Sequence, residues 1–162
     1  MDGCRDGAGF AGARFGFIAA NVRWRDSGQT VFPAYGIRRF EGVRVAFIGL
    51  TLEGTPAAVS ASGVAGLQFD DEAETVNRLE PQLRGRGIEA IVVVIHEGGL
   101  PTGGHDDCPS LSGPIVGIVA QLEDAVDLVI SGHTHQAYNC ALPNAAGRAV
   151  PVTSAASAGR LV

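Results

Sequence analysis

The chain has 162 residues, 46% hydrophobic and 18% charged, enough for one domain with a packed core and too apolar for a disordered tail. A net charge of −5, with twelve scattered basic residues, excludes the clustered basic surface that a nucleic-acid polymer requires. No apolar run approaches the ~20 residues of a membrane span, and Met1–Gly9 lacks the apolar centre of a signal peptide.

In chain order, the loop-like opening Asp2-Gly3-Cys4-Arg5-Asp6-Gly7 is expected to follow further sequence upstream. Arg14–Val22 is an apolar run that reads as a buried strand ending near Asn21. Two strand-like segments, Ala34–Phe40 and Val43–Leu50, flank Glu41-Gly42, a two-residue spacing that predicts a hairpin. Thr51–Gly66, rich in Gly, Ala, Ser and Thr, reads as a long loop. Ala73, Val76, Leu79 and Leu83 then share one helix face, with Gly85 and Gly87 as stop signals.

The β-branched run Ala90–Ile95 predicts a strand buried on both faces. Ser112-Gly113-Pro114 opens a second helix with Ile115, Ile118, Val119 and Leu122 on one face, proline suiting its first turn. Strands are expected at Asp127–Ile130 and Ala149–Thr153. The alternation predicts an α/β fold, and no linker divides the chain.

Three cysteines leave one without an internal partner. Cys108 and Cys140 flank a histidine motif and read as residues of Gly/Pro-rich loops. A disulfide between them, implying an oxidising compartment, is the expected pairing; two free thiols are the alternative that spacing alone leaves open.

Both helix–strand units deliver a strand into histidine: Ile95-His96-Glu97 after the first, Gly132-His133-Thr134-His135 after the second. Ligands of open α/β sheets gather outside the carboxyl ends of the strands. Parallel neighbours would therefore place His96, His133 and His135 on one edge. A lone histidine beside a strand is more often a hydrogen-bonded surface residue, whereas three at two matched strand ends read as metal ligands. Glu97 is not part of a zincin helix, because no second histidine follows at helical spacing. His105-Asp106-Asp107 reads as a solvated turn. Gly7-Ala8-Gly9-Phe10-Ala11-Gly12 spells a dinucleotide fingerprint but lacks the strand before it and the helix after it.

On the Gly132–His135 motif, and on Asp127–Ser131 before it, the sequence resembles the calcineurin-like metallophosphoesterase superfamily. Ala19-Ala20-Asn21-Val22, Gly42–Thr51 and Ile95–Gly99 narrow the resemblance to the bacterial 5′-nucleotidase and 2′,3′-cyclic phosphodiesterase branch. The resemblance implies an αββα sandwich of mixed sheets with helices on the outer faces. It also implies hydrolysis of nucleotides or other phosphate esters with two divalent ions such as Zn or Mn, and an extracellular or cell-surface location. His96 and His133 would ligate one ion and His135 the other, while Asn21 reads as a loop-capping residue.

The family's Asp-x-His pair and Asn-His pair have no counterpart here. Residues 1–162 are accordingly expected to be the C-terminal portion of a catalytic domain. The N-terminal half and the nucleotide-binding C-terminal domain are expected to lie outside it, and Cys4 to pair with an upstream cysteine. On that reading the chain carries half of a dinuclear site and holds one ion or none. The alternative is a truncated, non-catalytic fragment that at most binds one metal ion.

Overall fold

A computed structural model describes residues 13–161. The Gly7–Gly12 run and Cys4 lie outside the described residues. In chain order the elements are β1 (Val22–Trp24), β2 (Tyr35–Phe40), β3 (Val43–Leu50), the one-turn helices α1 (Thr55–Ala58) and α2 (Ala61–Val64), and β4 (Leu67–Phe69). They continue with α3 (Glu72–Gly85), β5 (Ala90–Ile95), a 3₁₀ turn at Cys108–Ser110, α4 (Pro114–Gln121), β6 (Leu128–Ile130), β7 (Ala137–Pro143) and β8 (Ala149–Ala155).

The main sheet has six strands in the order β2-β3-β5-β6-β8-β7; β1 and β4 form a separate pair. Strands β3, β5, β6 and β8 run parallel, and antiparallel β2 and β7 close the two edges. The α/β class holds, as one mixed sheet of an αββα sandwich with its helices on one side.

The β2–β3 hairpin forms as the spacing predicts. Glu41 and Gly42 both adopt positive φ, 50° and 95°, the turn whose twist matches the flanking strands. Helix α3 begins at the N-cap Asp71, which accepts from the Glu74 N–H at 2.8 Å. It buries Ala73, Val76 and Leu83. Gly85 is the last residue of the helix, as the stop signals predict. Gly87, at φ 72°, is the residue that turns the chain out, as the Ile88 N–H bonds back to the Leu83 carbonyl. Helix α4 starts at Pro114 and buries Ile115 and Val119.

Other expectations need correction. Arg14–Val22 is no buried strand: only Val22 enters β1, and Phe15 and Phe17 are 70% and 54% exposed. The edge position beside β3 is taken by β2, so this segment crosses with single bonds, Ala19 N–H to the Pro33 carbonyl and Ala20 N–H to the Gly49 carbonyl. The Thr51–Gly66 loop contains α1 and α2. Cys140 is not in a loop. Tyr138, Cys140 and Leu142 alternate inward along β7, a period-two pattern, and Pro143 is tolerated because β7 is an edge strand.

The core lies between the sheet and the two long helices, where Ile48, Ile91, Val93, Val129 and Val152 meet Val76, Leu83, Ile115 and Val119. Strand β5 is not fully covered on both faces. Val94 and its register neighbour Ile130 are each 38% exposed on the face opposite the helices. Parallel strands are ordinarily covered on both sides; among the described residues this apolar face is only partly covered.

Candidate metal centre

Parallel pairing of β5 and β6, in the register Val93↔Val129 and Val94↔Ile130, brings the two histidine loops to one edge. His96 Nε2 lies 3.4 Å from His133 Nδ1, with the rings edge to face at a centroid distance of 5.1 Å. Both histidines are exposed, above buried Glu97, Gly98 and Gly99 and half-buried Gly132 and Thr134. A tetrahedral ion with metal–nitrogen bonds of about 2.0–2.1 Å holds two such nitrogens about 3.3–3.4 Å apart. The imidazole pair thus presents two nitrogen donors at the bite of a small divalent cation.

His133 and His135 both adopt left-handed backbone, at φ 64° and 57°. Such conformations cost about 1–3 kcal/mol each in non-glycine residues and cluster at functional sites. Gly132 is not at positive φ; the histidines themselves supply the turn. The Thr134 N–H closes it on the Gly132 carbonyl at 2.7 Å. The His135 ring is exposed, and among the described residues no hydrogen bond joins it to either partner.

What holds the two loops together is mostly backbone. The Gly132 N–H donates to the Glu97 carbonyl at 3.2 Å, and Thr134 Oγ1 donates to the Gly99 carbonyl at 2.8 Å. A Cβ on Gly98 would fall 2.2 Å from the Gly132 carbonyl oxygen and 2.7 Å from Thr134 Oγ1. Only glycine permits that approach. Glu97 is buried and accepts from the Gly98 N–H at 2.8 Å, so it serves its own loop. Gly98, Ser131 and Thr134 lie in stretches that carry the resemblance, but their supporting roles are not read from sequence, and Tyr138 is not singled out at all.

Asn21 acts as the capping residue expected. Fully buried, its amide donates to the Thr51 and Asp70 carbonyls at 2.6 and 3.1 Å, and its oxygen accepts from the Thr51 N–H at 2.9 Å. His105 stays in an exposed turn, 3.2 Å from the Asp106 carboxylate. Cys108 and Cys140 are joined as a disulfide with Cα atoms 5.3 Å apart, tying the loop between β5 and α4 to β7.

Among the described residues the one grouping of three ligand-type side chains is Glu53, Asp71 and Glu72 at the start of α3, which the sequence reading did not single out. Backbone N–H groups engage two of its carboxylates: Asp71 caps α3 by accepting from Glu74 N–H, and Glu72 accepts from Glu53 N–H at 2.7 Å. Burial, followed by the nearby carboxylates of Glu53 and Asp71, pushes the Glu72 pKa up, against two backbone hydrogen bonds that lower it. No carboxylate of this group joins the histidines.

No protein-family model matches the chain. Among curated proteins it is similar to the endonuclease YhcR of Bacillus subtilis, 30% identical over 132 residues, covering 82% of this chain and 10% of that protein. The cell wall protein Lmo0130 of Listeria monocytogenes is 33% identical over 131 residues, 75% of this chain and 17% of its own length. A 5′-nucleotidase of Vibrio cholerae is 26% identical over 127 residues, covering 76% and 22%. The chain therefore spans a quarter or less of the length of these relatives. Among solved structures, a 5′-nucleotidase precursor from Thermus thermophilus superposes with a TM-score of 0.71 at 25% identity, over 90% of this chain and 29% of that one. The calcineurin-like phosphoesterase YfkN from Bacillus subtilis gives 0.68 at 23% identity, over 90% and 48%.

Proposed function

The chain belongs to the calcineurin-like phosphoesterase superfamily, and from that premise we propose that it supplies the imidazole half of a two-metal centre hydrolysing nucleotides or related phosphate esters. The observation that carries this reading is the 3.4 Å approach of His96 Nε2 and His133 Nδ1 beyond the carboxyl ends of adjacent parallel strands. His96 and His133 would hold one divalent ion, and His135 would face the second. Such ions neutralise charge on phosphate oxygens and lower the pKa of water.

The chain's own contribution is positional. Gly98 packed on Gly132, and Thr134 bonded to Gly99, hold the imidazoles at fixed separation before any ion arrives. Preorganised ligands bind without first ordering their loops. Their exposure leaves the outer side of the pair open to an ion and an ester.

We read residues 1–162 as the C-terminal portion of the catalytic domain. The apolar face around Val94 and Ile130, partly exposed among the described residues, supports this, because a second sheet packed there would complete the sandwich. Similarity to a cell wall protein and to a nucleotidase precursor supports a surface or extracellular location. Among the described residues no helix is long and apolar enough to cross a membrane.

A second reading, a non-catalytic module holding at most one ion, is favoured by the lack of any carboxylate in the histidine cluster of the described residues. Two measurements separate the readings. Calorimetric titration with Zn or Mn is expected to show binding that His133→Ala abolishes; equal affinity in both proteins would sink the metal assignment. A phosphatase assay of the isolated chain with added Mn or Zn is expected to show no turnover. Turnover lost in His133→Ala would prove the chain a complete catalyst and overturn the half-site reading.

A further inference from the structure

We propose that Tyr138 and Ser131 form a positioning device, a directional hydrogen-bond chain that sets the separation of His96 and His133. It rests on the reading above that these two imidazoles share an ion. Tyr138 stands on the edge strand β7, yet its hydroxyl reaches beneath both histidine loops. It accepts from the Gly99 N–H at 3.0 Å and lies 2.5 Å from Ser131 Oγ, which is 2.9 Å from the Thr153 carbonyl oxygen. Gly99 is three residues past His96, and Ser131 is two before His133.

The direction of the chain follows from the chemistry of its ends. A backbone N–H can only donate and a carbonyl can only accept. The Ser131 proton therefore goes to Thr153, and the Tyr138 proton must go to Ser131 Oγ. Every donor is used, in the order Gly99 N–H, Tyr138 O–H, Ser131 O–H, Thr153 C=O. Tyr138 is 2% exposed and Ser131 is 9% exposed, so water is poorly placed to substitute for a missing link. In a low-dielectric interior the bonds of such a chain reinforce one another.

The consequence is geometric. Gly99 is held at both ends, its N–H by Tyr138 and its carbonyl by Thr134 Oγ1 at 2.8 Å. Thr134 and Ser131 bracket His133 in sequence, so the loop of one histidine is keyed to the loop of the other through Gly99. Tyr138→Phe removes one oxygen, keeps the ring in the core, and leaves a buried N–H without its acceptor.

The test uses the full chain and inorganic Zn as probe. Calorimetry reads Zn affinity, and NMR reads the nuclear Overhauser contact between the His96 and His133 ring protons in metal-free protein. Tyr138→Phe is expected to weaken Zn binding about 10-fold, the lower end for groups that orient metal ligands, and to lose the ring-to-ring contact. Val76→Ala, a core truncation in α3 outside the hydrogen-bond chain, is expected to lower the melting temperature and leave both readouts at wild-type values. Ser131→Ala, which preserves the Gly99–Tyr138 bond, carries the same test should Tyr138→Phe not fold, with a smaller loss expected. Wild-type affinity and an intact ring contact in the hydroxyl variants would overturn the proposal, as would equal losses in Val76→Ala. Should Zn bind His133→Ala as well as wild type, the functional reading fails, and the metal-free ring contact alone decides the positioning role.

Discussion

The histidine loops and the acidic start of α3 both gather ligand-type side chains, and the structure uses them in opposite ways. At α3 the carboxylates of Asp71 and Glu72 are consumed by backbone N–H groups of Glu74 and Glu53. At the carboxyl edge the backbone groups satisfy one another and Tyr138, leaving the two imidazole nitrogens facing each other at 3.4 Å. Proximity of ligand types is therefore a poor guide to a metal site. What distinguishes one is side-chain nitrogens that meet each other rather than being consumed by backbone N–H groups.

The sharpest way to break this contrast is metal affinity. His96→Ala is expected to reduce Zn affinity at least about 100-fold, while Glu53→Gln leaves it unchanged; a calorimetric titration giving the reverse order would transfer the site to the acidic group. Next in size is Gly98→Ala. Its new methyl group would meet the Gly132 carbonyl oxygen at 2.2 Å, so a loss of about 2–3 kcal/mol in urea unfolding is expected, together with loss of Zn binding. A tolerated methyl group would mean that the loops are not held as described.

Asp71→Ala removes the α3 cap and is expected to cost about 1 kcal/mol without touching metal affinity. The smallest effect belongs to Glu72. Burial raises its pKa in the folded state, so the stability it contributes is complete below the ordinary carboxylate range and is lost as pH rises through the raised value. Glu72→Gln should flatten that decline. Urea midpoints from about pH 4 to pH 7 would show it, and a decline equally steep in the variant would assign it to another group.

Much of the scaffold was legible in the chain itself. Ala73, Val76 and Leu83 mark the α3 face because helical period depends only on local spacing. The Glu41-Gly42 turn, the β-branched run of β5 and the proline at the head of α4 are equally local signals. The sites of misreading share a cause. Arg14–Val22 has strand composition, but whether it pairs depends on β2 already occupying the edge of β3. The alternation of Tyr138, Cys140 and Leu142 in β7 was obscured because Ala137, Ala141 and Pro143 stand among its outward positions, and β4 is too short to show a period.

The candidate site divides along the same line. By itself the sequence determined that histidines end two strands, a matter of residue type and spacing, and it carried the resemblance of the motif around His133 to a phosphoesterase family. Only the tertiary structure decided which of them meet. Parallel register brings His96 to His133, left-handed backbone at His133 and His135 curls the motif, and a tyrosine on a distant edge strand reaches under both loops. These are contacts between residues 30 to 40 positions apart, and their geometry is set by how the whole sheet packs rather than by any local preference of the chain.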